Sequence, residues 1–262
     1  MSPALFLADL HLSPARPHEG ETFVRFLAGQ RDRASAIFLM GDLFDFWIGP
    51  QHLRLPDYRR ELAAIRSTVR DGVRVVMFKG NRDFYFGDAV AADLGVEVVS
   101  DWSVETFGPH RTYLCHGDLL CAGDHRYQAM RRVLRSHLVS AAACSLPAWV
   151  GLRLAAGARS VSKAEVARKS MAAMDLCPAT LERVFRGRGD LARPGRGRDT
   201  GPVDTLICGH IHRPAERRYT FGGRDCRVFV LGPWDRGPCW LEFADGAFTL
   251  HGAGGGRPPA AV

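Results

Sequence analysis

Three features that mark other classes of protein are absent from this 262-residue sequence. It has no Cys-x-x-Cys pair, and its seven cysteines are odd in number, which favours reduced thiols and a cytosolic compartment over a disulfide framework. Its most apolar later stretch, residues 138–158, contains Pro147 and Arg153 and lacks the roughly 20 apolar residues of a membrane span. No basic-then-apolar leader is apparent, because Asp9 and His11 interrupt the first apolar segment. We therefore expect a soluble protein.

The residues that are present give the composition of a globular protein, with 46% hydrophobic and 24% charged residues. A chain of this length can bury a core without disulfides or a structural metal. The formal net charge is +7 and the isoelectric point is near 9.3, which favours anionic partners. Phosphate-bearing small molecules, nucleic acid and anionic lipid head groups all remain open, and many proteins without such partners are equally basic.

Five short apolar segments are each followed, within three residues, by a polar residue that can bind a metal ion. Apolar runs of this length are typical of buried strands. Helical patterns lie between several of them, notably at residues 21–31 and 58–71. The alternation of strand and helix predicts an α/β layered core with its site at the strand ends. The predicted strands occupy residues 4–8, 36–40, 73–78, 112–115 and 204–208.

The polar residues after these strands predict a metal site, because the strand ends should meet at one edge of a sheet. Carboxylate oxygens, an amide oxygen and imidazole nitrogens suit Mn²⁺, Fe²⁺ or Zn²⁺. The alternative is that all five strands end by coincidence in hydrogen-bonded turn residues. The predicted ligands are Asp9, His11, Asp42, Asn81, His116, His210 and His212. Asp83 and Asp118 each lie two residues beyond a ligand and are expected to accept hydrogen bonds from ligating histidines.

The motifs DLH, GDLFD, GNRD, HGD and GHIH, in this order, resemble those of the calcineurin-like metallophosphoesterase family. The resemblance covers most of the chain and implies a four-layer αββα sandwich of two mixed sheets. It also implies two divalent metal ions, with Mn²⁺ as the expected ion and Asp42 as the bridging ligand. One ion would be bound by Asp9, His11 and His212. The ligands implied for the other are Asn81, His116 and His210.

One departure from the family pattern concerns the residue after Asn81. Many members carry a histidine there, which helps to protonate the leaving group or to hold the phosphate, whereas this chain has Arg82. Arginine stays protonated near neutral pH but can bind phosphate oxygens bidentately. Arg82 therefore indicates a leaving group that needs no proton, such as one phosphate of a pyrophosphate. The implied catalytic residues are Asp42, Asn81, Arg82, His116 and His210.

Longer matches narrow the resemblance to one branch of the family. The segments that carry it are GDLFDFWIG, GNRDFYFG, HGDLLCAGDHRYQ, RSVSKAEVARKS and GHIHRPA. They are similar to the branch that hydrolyses the pyrophosphate of a diacylated UDP-sugar in lipid A biosynthesis. The resemblance implies a nucleotide-sugar lipid substrate and a helical lid over its acyl chains. The implied substrate contacts are Trp47, Asn81, Arg82, Asp124, Tyr127, Arg159, Ser162, Lys169 and His210.

From Asp124 to about Phe185 strand patterns vanish, and helical ones replace them at residues 127–139 and 163–175. We therefore predict an inserted helical lid at residues 124–185. Its many leucines either pack on the core or line an acyl chamber. The core would comprise residues 1–123 and 203–251, of which 216–250 are predicted as strands and turns. Between lid and core lies a predicted mobile Arg/Gly loop, 186–202, and residues 252–262 are a predicted disordered tail.

The lid also carries arginines and a lysine among its apolar residues, which suits a surface that meets anionic lipid. We expect a monomer bound peripherally to the cytoplasmic face of the inner membrane, without a nucleic-acid partner. One alternative is another phosphoesterase on the same core: a nuclease, a nucleotide phosphodiesterase or a protein phosphatase. A nuclease would present an open basic groove with stacking aromatics rather than an apolar lid. The other alternative is a non-catalytic module that binds anions or membranes and retains little metal.

Overall fold

The computed structural model describes residues 2–147, 150, 153, 175–192 and 199–252. Within these ranges the strands form two mixed sheets. Their bounds are β1 (Ala4–Leu7), β2 (Ala36–Leu39), β3 (Arg74–Phe78), β4 (Glu97–Val99), β5 (Trp102–Phe107), β6 (His110–Cys115), β7 (Thr205–Cys208), β8 (Ala215–Phe221), β9 (Arg224–Val230), β10 (Trp240–Ala244) and β11 (Ala247–His251). The first sheet has the order β11-β10-β1-β2-β3-β4, and the second has the order β5-β6-β7-β9-β8.

The two sheets pack face to face, with a third and a fourth layer outside them. Neighbouring side chains of a strand point to opposite faces of its sheet. In β1, Phe6 lies between the sheets, whereas Leu5 and Leu7 lie on the outer face of the first sheet. In β7, Ile207 lies between the sheets and Leu206 on the outer face of the second. Both faces of these strands are buried, so their sequences are continuous apolar runs.

Helices cover both outer faces. The first sheet is covered by α1 (Pro17–Gln30), α2 (Arg59–Arg70) and α3 (Asp88–Leu94), and the 3-10 helices Pro50–Arg54 and Pro56–Tyr58 precede α2. The helix Pro178–Phe185 covers the second sheet through Leu181 and Phe185. The four-layer αββα sandwich that the family resemblance implies is therefore confirmed. None of the helices in the described ranges is both long and apolar enough to cross a membrane.

All five strands predicted from apolar runs are confirmed, with ends that differ by at most two residues. β1, β2 and β3 are parallel neighbours, with Leu7 opposite Leu39 and Leu39 opposite Met77. β6 and β7 are parallel too, with Leu114 opposite Ile207. The carboxyl ends of these strands therefore lie together at one edge of each sheet. The short elements β4, β5 and α3 were not predicted, since the partly exposed residues of β4 and β5 form no apolar run.

Two helices occupy the first part of the predicted lid: α4 (His125–Leu134) and α5 (His137–Ser145). The prediction of one helix at residues 127–139 is therefore wrong. Ser136 begins a new helix, because its hydroxyl accepts a hydrogen bond from the Val139 amide at 3.5 Å. The predicted lid helix 163–175 lies outside the described residues. The helix Pro178–Phe185, also inside the range 124–185, packs on the second sheet.

The two described ends of the predicted Arg/Gly loop are bound to the second sheet and to each other. The Tyr113 hydroxyl donates to the Gly189 carbonyl at 2.6 Å. The Thr200 amide donates to the Gly187 carbonyl at 2.8 Å. The Thr200 carbonyl accepts a hydrogen bond from Arg111 Nη2 at 2.6 Å. Residues 193–198 and 253–262, which include most of the predicted disordered tail, lie outside the described ranges.

Gly29 lies in the last turn of α1, and a Cβ placed there would meet no atom within 4 Å. We expect Gly29→Ala to raise the free energy of unfolding by about 0.5 kcal/mol, because alanine reduces the entropy of the unfolded chain. Gly72→Ala is the matched control. Its Cβ would be equally free of neighbours, but φ at Gly72 is +91°, so the free energy of unfolding should fall. Urea unfolding measures both changes, and effects of the same sign would contradict this account.

Candidate metal centre

The structure brings the seven predicted ligands together at the carboxyl ends of five strands. The prediction that these ends share one edge of a single sheet is wrong, because β1, β2 and β3 belong to the first sheet and β6 and β7 to the second. The two edges meet because the sheets pack face to face. The first sheet contributes Asp9, His11, Asp42 and Asn81, and the second contributes His116, His210 and His212.

Asp9, His11 and His212 form what we call the first cluster. The His11 Nε2 and His212 Nε2 atoms lie 3.2 Å apart, and His212 Nε2 lies 3.5 Å from Asp9 Oδ1. One ligand atom of each residue lies within 4.8 Å of the others. Two imidazole nitrogens and a carboxylate oxygen that converge in this way suit a divalent cation such as Mn²⁺, Fe²⁺ or Zn²⁺.

Asn81, His116 and His210 form the second cluster. The Asn81 Oδ1 atom lies 3.0 Å from His116 Nε2 and 2.9 Å from His210 Nδ1. His116 Nδ1 lies 2.9 Å from the Met40 carbonyl, so in the neutral imidazole that nitrogen carries the proton. Its Nε2 then presents a lone pair towards the lone pairs of Asn81 Oδ1. A cation shared by these atoms removes the resulting repulsion.

Asp42 lies between the two clusters and is 2% exposed. Its Oδ2 atom lies 3.9 Å from His11 Nδ1, and its Oδ1 atom lies 3.7 Å from His116 Nε2. Each carboxylate oxygen therefore faces one cluster, which is the arrangement that a bridging ligand requires. Asp9 also lies close to both clusters, since one oxygen of its carboxylate lies within 4.8 Å of ligand atoms of Asp42 and His116.

Two unpartnered buried atoms, the neutral state of His11 and the raised pKa of Asp42 also fit bound cations. Asp9 Oδ1 and His11 Nδ1 are buried atoms without a hydrogen-bond partner among the described residues. Burial, followed by the charge of Arg82, lowers the pKa of His11 to about 2, so its imidazole is in the neutral form that binds metals. Burial raises the pKa of Asp42, and burial together with Asp42 raises the pKa of Asp83 to about 7. Such concentrated buried carboxylates need positive charge nearby.

The backbone at most of the predicted ligands is strained. Outside glycine, only six described residues have a positive φ, and five of them are predicted ligands. A left-handed conformation of this kind costs about 1–3 kcal/mol per residue and persists only where the surrounding structure enforces it. The strained ligands, with φ between 48° and 70°, are Asp9, His11, Asp42, His210 and His212.

Glycines let the ligand loops approach one another closely. The Arg82 amide donates to Asp42 Oδ1 at 2.9 Å, and the His210 amide donates to Asp9 Oδ2 at 2.7 Å. A Cβ on Gly80 would overlap the amide nitrogen and Oδ1 of Asp42, and a Cβ on Gly209 would lie 2.7 Å from Asp9 Oδ2. The sequence signal for this packing is the glycine directly before Asn81 and before His210.

Asp83 fixes the loops of Asp42 and Asn81 through their backbone. Its carboxylate accepts hydrogen bonds from the Gly80 amide at 2.6 Å, the Leu43 amide at 2.8 Å and the Asp42 amide at 3.3 Å. Asp83 therefore orients candidate ligands as an acceptor, as expected, but it does so through backbone amides and not through a ligating histidine. The turns that follow β2 and β3 place these three amides around the carboxylate, and an acceptor with two oxygens satisfies all of them.

Asp118 is hydrogen-bonded to α4 rather than to a histidine, which corrects the second expectation of this kind. Its Oδ2 atom accepts bonds from the Tyr127 hydroxyl at 2.6 Å and from Arg131 Nε at 2.7 Å. The Tyr127 ring lies against His210, with ring centroids 6.0 Å apart. Asp124, predicted to contact substrate like Tyr127, caps α4 by accepting the Tyr127 amide at 3.1 Å. The sequence reasoning missed Arg131, although it lies one helical turn after Tyr127.

The remaining predicted substrate contacts have different surroundings. Arg82 is 35% exposed, and its Nη1 donates to Asp45 Oδ1 at 2.6 Å. Trp47 is only 2% exposed and stacks on Phe44 and His52, so in this structure it has no open face for a substrate. The last three predicted contacts lie outside the described residues: Arg159, Ser162 and Lys169.

A cavity of about 190 Å³ opens beside the first cluster. Its lining combines apolar residues with charges of both signs, so it offers room for part of a substrate next to Asp9 and His212. The residues that line it are Asp9, Leu10, His11, Arg16, Glu19, His212, Pro233 and Asp235.

Comparisons with known proteins agree with this geometry. The model of the family described as calcineurin-like phosphoesterase matches residues 2–214. The UDP-2,3-diacylglucosamine hydrolase of Pseudomonas aeruginosa (strain UCBPP-PA14) is 36% identical over 239 residues, which cover 91% of this chain and 93% of that protein. The protein of the same name from Pseudomonas fluorescens is 33% identical over 246 residues, 94% of each chain. That from Chromohalobacter salexigens is 34% identical over 237 residues, 90% of each.

Proposed function

Because this chain belongs to the calcineurin-like phosphoesterase family, we propose that it hydrolyses the pyrophosphate of UDP-2,3-diacylglucosamine in lipid A biosynthesis. The products would be UMP and 2,3-diacylglucosamine 1-phosphate. The observation that carries the reaction class is the pair of ligand clusters joined by Asp42, with Arg82 beside them. The likeness to hydrolases of that name over about nine-tenths of the chain supports the substrate.

Two divalent ions, one at each cluster, are the proposed cofactors, and Mn²⁺ is the proposed ion. The two clusters and Asp42 offer imidazole, carboxylate and amide donors without a thiolate, a set that suits Mn²⁺. When bound, such a pair of ions polarises a phosphoryl group and lowers the pKa of water to near neutrality. The protein holds the donors in place through strained loops and close glycine contacts.

Arg82 is proposed to bind the phosphate oxygens that become more negative during the reaction. Asp45 pairs with Nη1 of Arg82, and Nε of Arg82 lies 3.6 Å from Asp42 Oδ2. These contacts keep the guanidinium beside the metal centre, while a third of the side chain stays exposed to an incoming substrate. A planar guanidinium can then donate two hydrogen bonds to one phosphate. Asn81 and His210 are proposed to contact the same phosphate from the second cluster.

A pyrophosphate is the preferred bond because its leaving group is itself a phosphate. Arg82 stands where many family members have a histidine, and a guanidinium does not release a proton near neutral pH. The attack is proposed at the phosphorus nearer uridine, so the sugar 1-phosphate leaves without protonation. A simple alkyl phosphodiester has a much more basic leaving group, which the arginine cannot protonate.

The surface of α4 and α5 is proposed to meet acyl chains and the cytoplasmic face of the inner membrane. Among the described residues, Met130, Val133 and Leu138 are the exposed large apolar side chains, at 47%, 60% and 85%. All three lie on these two helices, and the basic Arg132 is exposed beside them. Exposed apolar residues among cations suit an interface with anionic lipid. A monomer is the proposed state.

Release of UMP tests this proposal. We expect metal-free protein to release UMP from UDP-2,3-diacylglucosamine after Mn²⁺ is added, and to release much less from UDP-N-acetylglucosamine, which lacks the acyl chains. Absence of UMP with Mn²⁺, Mg²⁺, Co²⁺ and Zn²⁺ would overturn the substrate. Hydrolysis of bis(p-nitrophenyl) phosphate without UMP release would indicate another phosphoesterase on the same core.

A further inference from the structure

Helix α4 contacts the surroundings of all three residues of the second cluster. Beside His116, Gln128 donates to the Asp118 carbonyl at 2.8 Å. Beyond Asn81 in the same loop, the Tyr85 hydroxyl donates to the Leu134 carbonyl at 3.1 Å. The third residue, His210, has the Tyr127 ring against it. One helix thus touches three loops that come from β3, β6 and β7.

Arg131 attaches this helix to the core. It is only 5% exposed, although its charge would ordinarily keep it in water. Its Nε donates to Asp118 Oδ2 at 2.7 Å, and its Nη2 pairs with Asp101, which precedes β5. The fork of the guanidinium therefore joins two carboxylates on two separate segments of the core.

The contacts of Arg131 lead directly to a ligand. Asp118 Oδ2 also accepts the Tyr127 hydroxyl at 2.6 Å, so Arg131 and Tyr127 share one carboxylate oxygen. The Tyr127 ring in turn lies beside the His210 ring, with ring centroids 6.0 Å apart. Asp118 is itself two residues from His116, and Gly117 between them has a φ of +120°. A shift of Asp118 would therefore disturb two of the three residues of the second cluster.

We propose that Arg131 is a positioning residue for the second cluster, so that its loss weakens the binding of one metal ion of the pair and spares the other. This inference rests on the proposed two-metal function. In the first cluster, His11 has a support of its own, because Arg16 donates to the His11 carbonyl at 2.8 Å just before α1. Residues that orient metal ligands from outside typically change metal affinity about 10–100-fold when they are lost.

Metal titration of Arg131→Met tests the inference. The methionine keeps much of the length and apolar bulk of arginine but neither hydrogen bond. Calorimetric titration of metal-free protein with Mn²⁺ should show two ions in the wild type. In Arg131→Met, one ion should bind about tenfold or more weakly, and the other should bind as in the wild type. Asn81→Ala, which removes a ligand of the second cluster, should weaken the same ion.

Matched variants separate positioning from loss of charge. Arg132→Met removes the same charge from an exposed position of the same helix and should leave both affinities unchanged. Arg131→Lys keeps the charge but has a single nitrogen for two carboxylates. Its affinity for the more weakly bound ion should therefore lie between the affinities of the wild type and of Arg131→Met. If Arg131→Met does not fold, the lysine variant carries the test. The electron paramagnetic resonance signal of a coupled Mn²⁺ pair should weaken in these variants as the affinity for that ion falls.

The outcomes are distinct. A wild type that binds two ions, with Arg131→Met or Arg131→Lys equal to it in both affinities, would overturn the inference alone. Equal weakening of both ions would overturn it too, because that result indicates a general structural role. A wild type that binds fewer than two ions would overturn the proposed function and this inference with it. If the contacts of α4 strengthen metal binding, bound metal must equally stabilise α4, because such coupling is reciprocal. Mn²⁺ should therefore slow amide hydrogen exchange in α4 of the wild type. Unchanged exchange rates would contradict the proposal.

Discussion

Asp42→Asn should lower kcat/KM by about 10³-fold or more, equivalent to about 4 kcal/mol of transition-state stabilisation. Asp42 is the carboxylate whose two oxygens face the two clusters, so the substitution removes the negative charge that the pair of ions would share. Asparagine has nearly the same shape and can still accept the hydrogen bond from the Arg82 amide. The bound metal, measured by elemental analysis, should therefore fall together with activity, while the circular dichroism spectrum is retained.

Asp245→Asn is the matched control for this substitution. Asp245 has a φ of 48° and Asp42 a φ of 54°, so both residues place the same change in a left-handed backbone that asparagine tolerates. Asp245 lies in the exposed turn between β10 and β11. The control should keep wild-type activity and metal content. If Asp42→Asn retained activity within about tenfold of the wild type, Asp42 could not be the bridging ligand.

Gly80→Ala should damage both activity and stability through one methyl group. The new Cβ would overlap the Asp42 backbone amide as well as its carboxylate, and a backbone atom cannot rotate away as a side chain can. We expect kcat/KM to fall about 10²-fold, because a ligand displaced by about 1 Å has an effect of that size. The free energy of unfolding should fall by about 1–3 kcal/mol from overpacking. Kinetics and urea unfolding measure the two effects.

Gly87→Ala supplies the comparison within the same loop. A Cβ at Gly87 would meet no atom within 4 Å, and its φ of −157° is accessible to alanine. This variant should differ little from the wild type in both measurements. Equal losses in the two variants would show that the loop tolerates no alanine at all, and the specific contact between Gly80 and Asp42 would then not explain the result.

Much of the fold was predictable because each buried strand is a separate apolar run. Phe6 and Leu7 point to different faces, yet both faces are buried, so β1 is a run of apolar residues without polar interruption. The partly exposed strand β5 has no such run and was missed. The break between α4 and α5 was missed as well, because the cap that Ser136 supplies depends on one local hydrogen bond rather than on periodicity.

The seven candidate ligands were visible in the sequence because each one follows the end of an apolar run. Their immediate supports were not visible. Asp83 was expected to bind a histidine, but it accepts three backbone amides from two different turns. Asp118 was expected to do the same, but it binds Tyr127 and Arg131 on α4. Such partners are far apart in sequence or are backbone groups, and residue spacing carries no information about either.

The identity of the candidate metal ligands and their order along the strands follow from local sequence, since both depend on neighbours along the chain. Packing of the two sheets, by contrast, brings candidate ligands from both sheets together and places Asp42 between the clusters. The same packing gives five candidate ligands a left-handed backbone and joins Arg131 of α4 to Asp118. Local sequence carries no information on these features, because they arise from packing between distant segments, which supplies the energy that holds strained loops and buried charges in place.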